Sequence, residues 1–310
     1  MAYLGIDTSN YTTSAALYIP ESNLIIQKKK LLPVKKGEKG LRQSDAVFHH
    51  TQQLPQIVRD LMDECGEEIT AVGVSSRPRN VEGSYMPCFT VGLGVAECIA
   101  AVNKINVRRF SHQQGHIAAA LYSADKLELL KEKFIAFHVS GGTTESLLVR
   151  PDDDGIIVCD ITASSSDLKA GQAVDRVGLM MGLDFPCGPE IDKLAQKSDK
   201  VYKPKVPIKD GNCSLSGLEN KCRQMLENGE TNEDTARFCI DYIACALEKM
   251  TEYALEKHGD LPLVFSGGVM SNSIIKERFT RKFGAYFAQS AFSSDNAAGT
   301  AILTYLKEQK

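Results

Sequence analysis

Two widely separated segments of this 310-residue chain carry the same pattern, and that repetition limits the available folds more than any other feature. Near the N-terminus, Leu4-Gly5-Ile6-Asp7-Thr8-Ser9 is an apolar run ending in small polar residues, and Thr13 to Ile19 returns as a second β-rich run. In the second half, Phe134-Ile135-Ala136-Phe137-His138-Val139 ends in Ser140-Gly141-Gly142-Thr143-Thr144, and Ser146 to Val149 returns in the same way. Apolar run, polar turn, apolar run is a hairpin signature. One such hairpin opening each half predicts a duplicated α/β fold. Helical spacing of apolar residues predicts a helix from Ala46 to Cys65, with a kink at Pro55. Ala71 to Ser75 reads as a buried strand opening a Gly/Pro/Ser-rich loop, Ser76 to Pro87. Further helices are expected at about Thr90–Asn103, Gln113–Tyr122, Leu168–Met181 and Asp234–Lys257, and a short strand at Ile105–Phe110. Leu263 to Val269 is a third strand-and-turn unit, and Ser198 to Ser216 reads as loop.

Composition bounds the class. With 43% hydrophobic and 24% charged residues the chain is an ordinary globular protein, and its length favours two domains. A formal charge of −3 gives no electrostatic reason to expect nucleic acid or an anionic membrane. The basic runs Lys28-Lys29-Lys30, Lys35-Lys36 and Arg108-Arg109 read as solvated faces. Nine cysteines without a C-x-x-C pair suit neither a disulfide framework nor a zinc knuckle. Cys65, Cys98, Cys239 and Cys245 read as small buried hydrophobes, which points to a reducing compartment. The N-terminus has no basic or long apolar stretch of the signal-peptide kind. Phe89 to Val102, interrupted by Glu97, is too short to span a bilayer. A cytoplasmic protein without a membrane span is expected.

Five motifs carry candidate chemistry. His112 and His116 stand four apart at the start of a predicted helix, so both imidazoles share a face and can share one ion. The bland alternative is a capping His and a buried His in an Ala-rich helix. Gln113 and Gln114 fill the gap where a zincin has its general-base Glu, so an H-E-x-x-H hydrolase ranks last. A carboxylate joining the two imidazoles would make a set that suits Fe(II), and Zn or Mn less clearly. The turn at Asp295 is one candidate source, but spacing alone cannot select it from 39 acidic residues. Ser140 to Thr144 and Ser266-Gly267-Gly268 each follow an apolar strand and can present backbone N–H groups to a phosphate. The second precedes a helix expected near Ser271, whose N-terminus would also favour an anion. Neither a P-loop nor a G-x-G-x-x-G is present. Asp175, in Gly171-Gln172-Ala173-Val174-Asp175-Arg176, is either a surface carboxylate paired with Arg176 or a grip for a ribose hydroxyl. Gly188, in the turn Asp184 to Pro189, would let a ligand approach the backbone closely.

Taken in order, the motifs resemble one family. Leu4 to Ser9, His112-Gln-Gln-Gly-His116, Val139-Ser-Gly-Gly142, Ala170-Gly-Gln-Ala-Val-Asp175, Phe185-Pro-Cys-Gly-Pro189, Ser214-Leu-Ser-Gly-Leu218, Ser266 to Asn272 and Ser294 to Ala297 are similar to those of the tRNA threonylcarbamoyladenosine transferases, formerly described as glycoproteases. The resemblance implies the actin/sugar-kinase/Hsp70-like fold, two ribonuclease-H-like lobes around a central nucleotide cleft. The lobes would be residues 1–125 and 126–310, with the C-terminal helix able to pack back on the first lobe. It implies a divalent metal held by His112, His116 and Asp295. It further implies an adenylate or ATP-type ligand bound by His138, Val139, Ser140, Gly141, Gly142, Asp175, Gly188 and Asn272. The reaction would move threonylcarbamoyl from its adenylate to the exocyclic amine of an adenosine beside the tRNA anticodon, with accessory proteins of that modification as partners.

Four departures bear on this. Asn10-Tyr11-Thr12-Thr13 stands where the family has Cys-Asp-Glu-Thr, and Thr143 stands for a His. Arg77-Pro78-Arg79, with an insertion at Val81–Pro87, replaces a Gly-Pro-Gly loop, and Glu219 replaces a Lys. They suggest a divergent paralogue, and leave open a non-catalytic nucleotide-binding partner or a carbamoyltransferase with another acceptor. A small-molecule kinase of the same superfamily would have no use for the paired histidines.

Overall fold

A computed structural model describes residues 1–9, 11–33, 41–293 and 297–310. The chain opens with strands β1 (Ala2–Asp7), β2 (Thr12–Ile19) and β3 (Leu24–Leu31), then helix α1 (Gln43–Glu64). Strand β4 (Ile69–Arg77), helix α2 (Phe89–Asn103), strand β5 (Asn106–Ser111) and helix α3 (His112–Ser123) complete the first series. The second opens with β6 (Phe134–Val139), β7 (Thr144–Asp152) and β8 (Ile156–Ser164). It continues with α4 (Ala170–Met180), α5 (Gly188–Ala195), the short strands β9 (Ile208–Lys209) and β10 (Asn212–Cys213), α6 (Gly217–Glu227) and α7 (Asn232–His258). Strand β11 (Leu263–Ser266), α8 (Ser273–Phe283), β12 (Tyr286–Phe287) and α9 (Ala298–Glu308) close the chain.

The repetition seen in the sequence is topological. The first sheet has the order β3-β2-β1-β4-β5, and the second has β8-β7-β6-β11-β12, so each places its opening hairpin and two later strands identically. In both, the first strand pairs antiparallel with the second and parallel with the fourth. The outermost strand after the switch is again parallel. The central strands show why their sequences are apolar throughout: all six residues of β1, and all of β6 except His138, are buried. A strand covered on both faces has no polar side to display. The edge strand β3 is the reverse, with Lys29, Lys30 and Leu31 exposed, and such lysines discourage further strand pairing.

Two compact units emerge, and neither is contiguous. One comprises Met1–Glu132, Arg150–Cys159 and Ala291–Lys310; the other comprises Lys133–Val149 and Asp160–Ser290. After Glu132 the chain returns to the first unit twice. The first is the β7–β8 turn, held by Gln114, whose Nε2 donates to the carbonyls of Gly155 (2.9 Å) and Ile157 (2.7 Å). The second is α9, whose Tyr305 ring meets Tyr3 of β1 at 5.2 Å and whose Glu308 pairs with Arg108 at 2.6 Å. Each unit has its own core. The first is built on Leu4, Ile6, Leu17, Leu54, Leu61 and Val72. The second is built on Ile135, Phe137, Leu247, Met250, Phe265 and Phe279.

Some local expectations are corrected. Helix α1 spans Gln43–Glu64 with Pro55 inside it, three residues longer at its start than the expected Ala46. Cys98 is exposed, because α2 buries Phe89, Gly92, Ala96 and Ala100 and turns Cys98 outward; all nine cysteines are free thiols. No helix among the described residues is long and apolar enough to cross a membrane.

Candidate functional site

In the first unit, Ser111 decides where α3 begins. Its hydroxyl accepts from the Gln114 N–H (3.2 Å) while Gln114 Oε1 accepts from the Ser111 N–H (2.7 Å), a reciprocal capping box. The cap is thus Ser111, and His112 is the first helical residue. One turn on, His116 shares its face, with ring centroids 4.2 Å apart and the two Nε2 atoms 2.8 Å apart. His112 Nδ1 lies 2.7 Å from Oδ2 of Asp7, a carboxylate only 1% exposed at the end of β1. Ser9 Oγ stands 3.5 Å from His112 Nε2. Two imidazole nitrogens bound to one ion at about 2.0–2.1 Å and at right angles stand about 3 Å apart. The pair therefore has the spacing of adjacent ligands, and its donor set fits a divalent transition metal. Among the described residues no group of three His, Cys, Asp or Glu converges as a metal site. Asp295, expected as the third ligand, lies outside them.

In the second unit a cavity of about 610 Å³ is lined by Gly141, Asp175, Gly188 and Asn272. Its size is that of a small-molecule site. Val174, Pro186, Pro189, Ile240 and Val269 form apolar walls. His138, Val139, Ser140 and Gly142, expected beside these, do not line it. Val139 is core, and His138 Nδ1 lies 3.1 Å from Ser266 Oγ. Because the Ser266 hydroxyl donates to the Phe137 carbonyl, His138 is the donor in that pair.

The glycines of the two Gly-rich turns differ in their surroundings. Ser140 Oγ accepts from the N–H groups of Gly142 (3.3 Å) and Thr143 (3.1 Å), so these are satisfied within the turn, while Gly141 and Gly268 line the cavity. Of the four glycines in these turns Gly267 is the close-packed one, as is Gly171 in α4, whereas a Cβ at Gly141, Gly142 or Gly268 would meet nothing within 4 Å. At Gly171 a Cβ would lie 2.6 Å from the Gly141 nitrogen; at Gly267, with φ of +98°, it would lie 2.2 Å from the Val139 carbonyl oxygen. Helix α8 starts at Ser273, after a 3₁₀ turn at Gly268–Ser271, and its N-terminus is already served by the protein's own groups. Asn272 Oδ1 accepts from the Ile275 N–H, and Asp192 accepts from the Ser273 N–H. Helix α5 also opens on the cavity, at Gly188 and Pro189.

Asp175 is not paired with Arg176, which bonds Glu219 at 3.2 Å. Its Oδ1 accepts from the Cys187 N–H at 2.9 Å, and burial raises its carboxyl above the ordinary range, partly offset by that bond. Asp192 was invisible as a site residue. It lines the cavity and accepts from Asn272 Nδ2 at 2.8 Å, a partner 80 positions away that no local signal announces.

Comparison with known proteins identifies the family. The family model for tRNA N6-adenosine threonylcarbamoyltransferase matches residues 25–302. The chain belongs to that family. A Streptococcus pneumoniae (strain CGSP14) tRNA N6-adenosine threonylcarbamoyltransferase is 32% identical over 242 residues, covering 74% of this chain and 68% of that protein. A second pneumococcal relative, from strain Taiwan19F-14, is 31% identical over the same span. Among solved structures, full-length HypF superposes with a TM-score of 0.61 at 11% identity, over 99% of this chain and 55% of that one. The Acidaminococcus fermentans (R)-2-hydroxyglutaryl-CoA dehydratase component A gives 0.57 at 14% identity, over the whole of both chains. A Streptomyces griseus ROK family glucokinase gives 0.52 at 12%, over 99% of this chain and all of that one. These three show the fold alone, the two-lobed actin/sugar-kinase/Hsp70-like class.

Within the threonylcarbamoyltransferase family this member's departures have definite positions. Tyr11 is 43% exposed, whereas Thr12 is buried. The carbonyl of Pro78, in the altered loop, accepts from the Gln113 N–H at 3.1 Å and so steadies the first turn of the histidine helix. Glu219 bonds both Arg176 and Arg223, which absorbs the charge reversal into a surface network. The motif Ser214 to Leu218 is tied down by Asp167, which accepts from Ser214 Oγ (2.6 Å) and from the N–H groups of Leu215 (2.8 Å) and Ser216 (3.2 Å).

Proposed function

We propose that this chain moves a threonylcarbamoyl group from its adenylate to the exocyclic amine of an adenosine in tRNA, next to the anticodon. The observation that carries the reading is the convergence of Gly141, Asp175, Gly188 and Asn272, from four separate segments, on one cavity of adenylate size. The apolar walls suit an adenine face. Asp175 and Asp192 suit ribose hydroxyls, which donate to carboxylates. Gly141, where a Cβ would meet nothing within 4 Å, and the opening turn of α5 suit the phosphate, since a bare backbone allows close approach and the helix dipole favours an anion. In the transfer, the amine nitrogen bonds to the carbamoyl carbon, the carbon–oxygen bond to phosphate breaks, AMP leaves with that electron pair, and the amine gives up a proton. The cavity's part is to hold the AMP half still, which lowers the entropic cost of bringing amine and carbonyl together. His112 and His116, with Asp295 as the proposed third ligand, would hold the metal; Fe(II) suits two His and one carboxylate, with Zn or Mn as alternatives. A metal so held supplies Lewis-acid polarisation of a carbonyl or phosphate oxygen. Accessory proteins of tRNA threonylcarbamoylation are the proposed partners, in the cytoplasm.

Tyr11 and Thr12, standing where the family has carboxylates, favour a second reading: a nucleotide-binding paralogue that assists a transferase without being one. Incubation with threonylcarbamoyl-adenylate and unmodified tRNA, with and without accessory proteins, separates the two. Modified adenosine supports the transferase. Tight adenylate binding with no product under any combination leaves the paralogue.

A further inference from the structure

The Asp7 carboxylate is engaged by several donors beside the histidine pair, and the proposed function leaves it without a task. It sits 1% exposed at the end of a fully buried strand. Its Oδ1 accepts from the Ser9 N–H at 2.8 Å, and its Oδ2 accepts from the Ser75 hydroxyl at 2.7 Å. With the Ser75 proton committed there, Thr300 is the donor in the 3.2 Å contact between its hydroxyl and Ser75 Oγ. Strands β1 and β4 and helix α9 thus aim one carboxylate at one ring nitrogen. A carboxylate that already receives two donors draws the imidazole proton to Nδ1. That leaves Nε2 of His112 with its lone pair directed toward His116, 2.8 Å away.

We propose that Asp7 is a positioning residue for the metal: it fixes the tautomer and ring orientation of His112 so that Nε2 is the ligating atom, without touching the ion itself. The inference rests on the metal reading given above. A carboxylate on the remote nitrogen of a ligating histidine both orients the ring and raises its basicity, and losing such a partner weakens metal affinity about 10–100-fold. Ser75 acts one step further out, since it touches the carboxylate and not the imidazole.

The test is Co(II) titration of the full-length protein, followed by its visible absorption, for wild type, Asp7→Asn, Asp7→Ala and Ser75→Ala, with thermal melting of each metal-free protein. Asp7→Asn is the informative variant, because its amide oxygen can still accept from Nδ1 while the charge is gone. Expected are affinities in the order wild type, Asp7→Asn, Asp7→Ala, the last at least about 10-fold weaker, with an altered Co(II) spectrum. Ser75→Ala should fall much closer to wild type. AMP binding should be equal in all four. Equal Co(II) affinity in wild type and both Asp7 variants would overturn the inference and leave the metal reading standing. Wild-type protein that takes up no Co(II) would overturn both.

Discussion

Replacing Asp175 tests the cavity most directly, because its two oxygens have different work. Oδ1 holds the Cys187 N–H, which belongs to the residue capping α5, while Oδ2 takes no partner among the described residues, and the residue lines the cavity. Asp175→Asn can keep the first bond and replaces the second acceptor with an amide donor. Asp175→Ala loses both. A hydrogen bond between a charged carboxylate and a ribose hydroxyl is worth about 1.5–3 kcal/mol, so AMP affinity should fall roughly 10- to 150-fold in either variant. Stability should separate them. The alanine variant strands a buried N–H, at a cost of about 1–3 kcal/mol, whereas the asparagine variant does not. Burial raises the folded carboxyl above its unfolded value near 3.9, so its contribution to stability is full below that value and is lost as pH rises through the folded one. Asparagine removes this loss, so Asp175→Asn should be at least as stable as wild type at pH 7. Calorimetry with AMP and thermal melting read the two effects. Wild-type AMP affinity in Asp175→Asn would refute the assignment of this cavity to the nucleotide.

His116→Ala should abolish metal retention and leave the melting temperature nearly unchanged; elemental analysis of the purified variant showing a full metal complement would contradict the site. Gly267→Ala should be strongly destabilising, since φ of +98° and a Cβ 2.2 Å from the Val139 carbonyl oxygen force β6 and β11 apart. A loss of about 2 kcal/mol or more, several degrees in melting temperature, is expected, and an unshifted melt would show that the strands yield easily. Burial pushes the Asp167 carboxyl up, but bonds from Ser214, Ser216, Leu215 and Leu168 outweigh it and hold the group well below the usual carboxylate range. Its stabilisation is therefore present above about pH 4 and fades as pH falls further. Asp167→Asn should flatten that acid limb in urea melts taken at stepped pH.

What the sequence shows plainly is whatever its neighbours along the chain determine. Strands β1, β2 and β6 are covered on both faces or paired in hairpins, so their apolar character is continuous and their turns are polar. Strand β3 escapes because an edge strand spends its residues on lysine, and a run of three lysines looks like any solvated face. Strand β8 hides similarly, with Asp160 and Ile161 exposed in its middle. Helix α5 begins with Gly188-Pro189, which reads as a turn although proline suits the first turn of a helix.

The site divides along the same line. His112 and His116 are legible together because one helical turn relates them, whereas Asp7 and His112 are 105 positions apart, and Asp192 and Asn272 are 80 apart. Only the sheet order brings the first of these pairs together: β1 lies beside β4, β4 beside β5, and Ser111 at the end of β5 starts the histidine helix. Glycines pose a related difficulty. Glycine is demanded equally by a phosphate and by a neighbouring backbone, and at Gly171 and Gly267 the neighbour is the protein's own chain. A motif thus marks where close approach occurs, and the partner's identity depends on contacts that sequence spacing does not encode. Substitutions at those glycines should therefore cost stability before they cost nucleotide affinity, whereas substitutions at Asp175 should do the opposite.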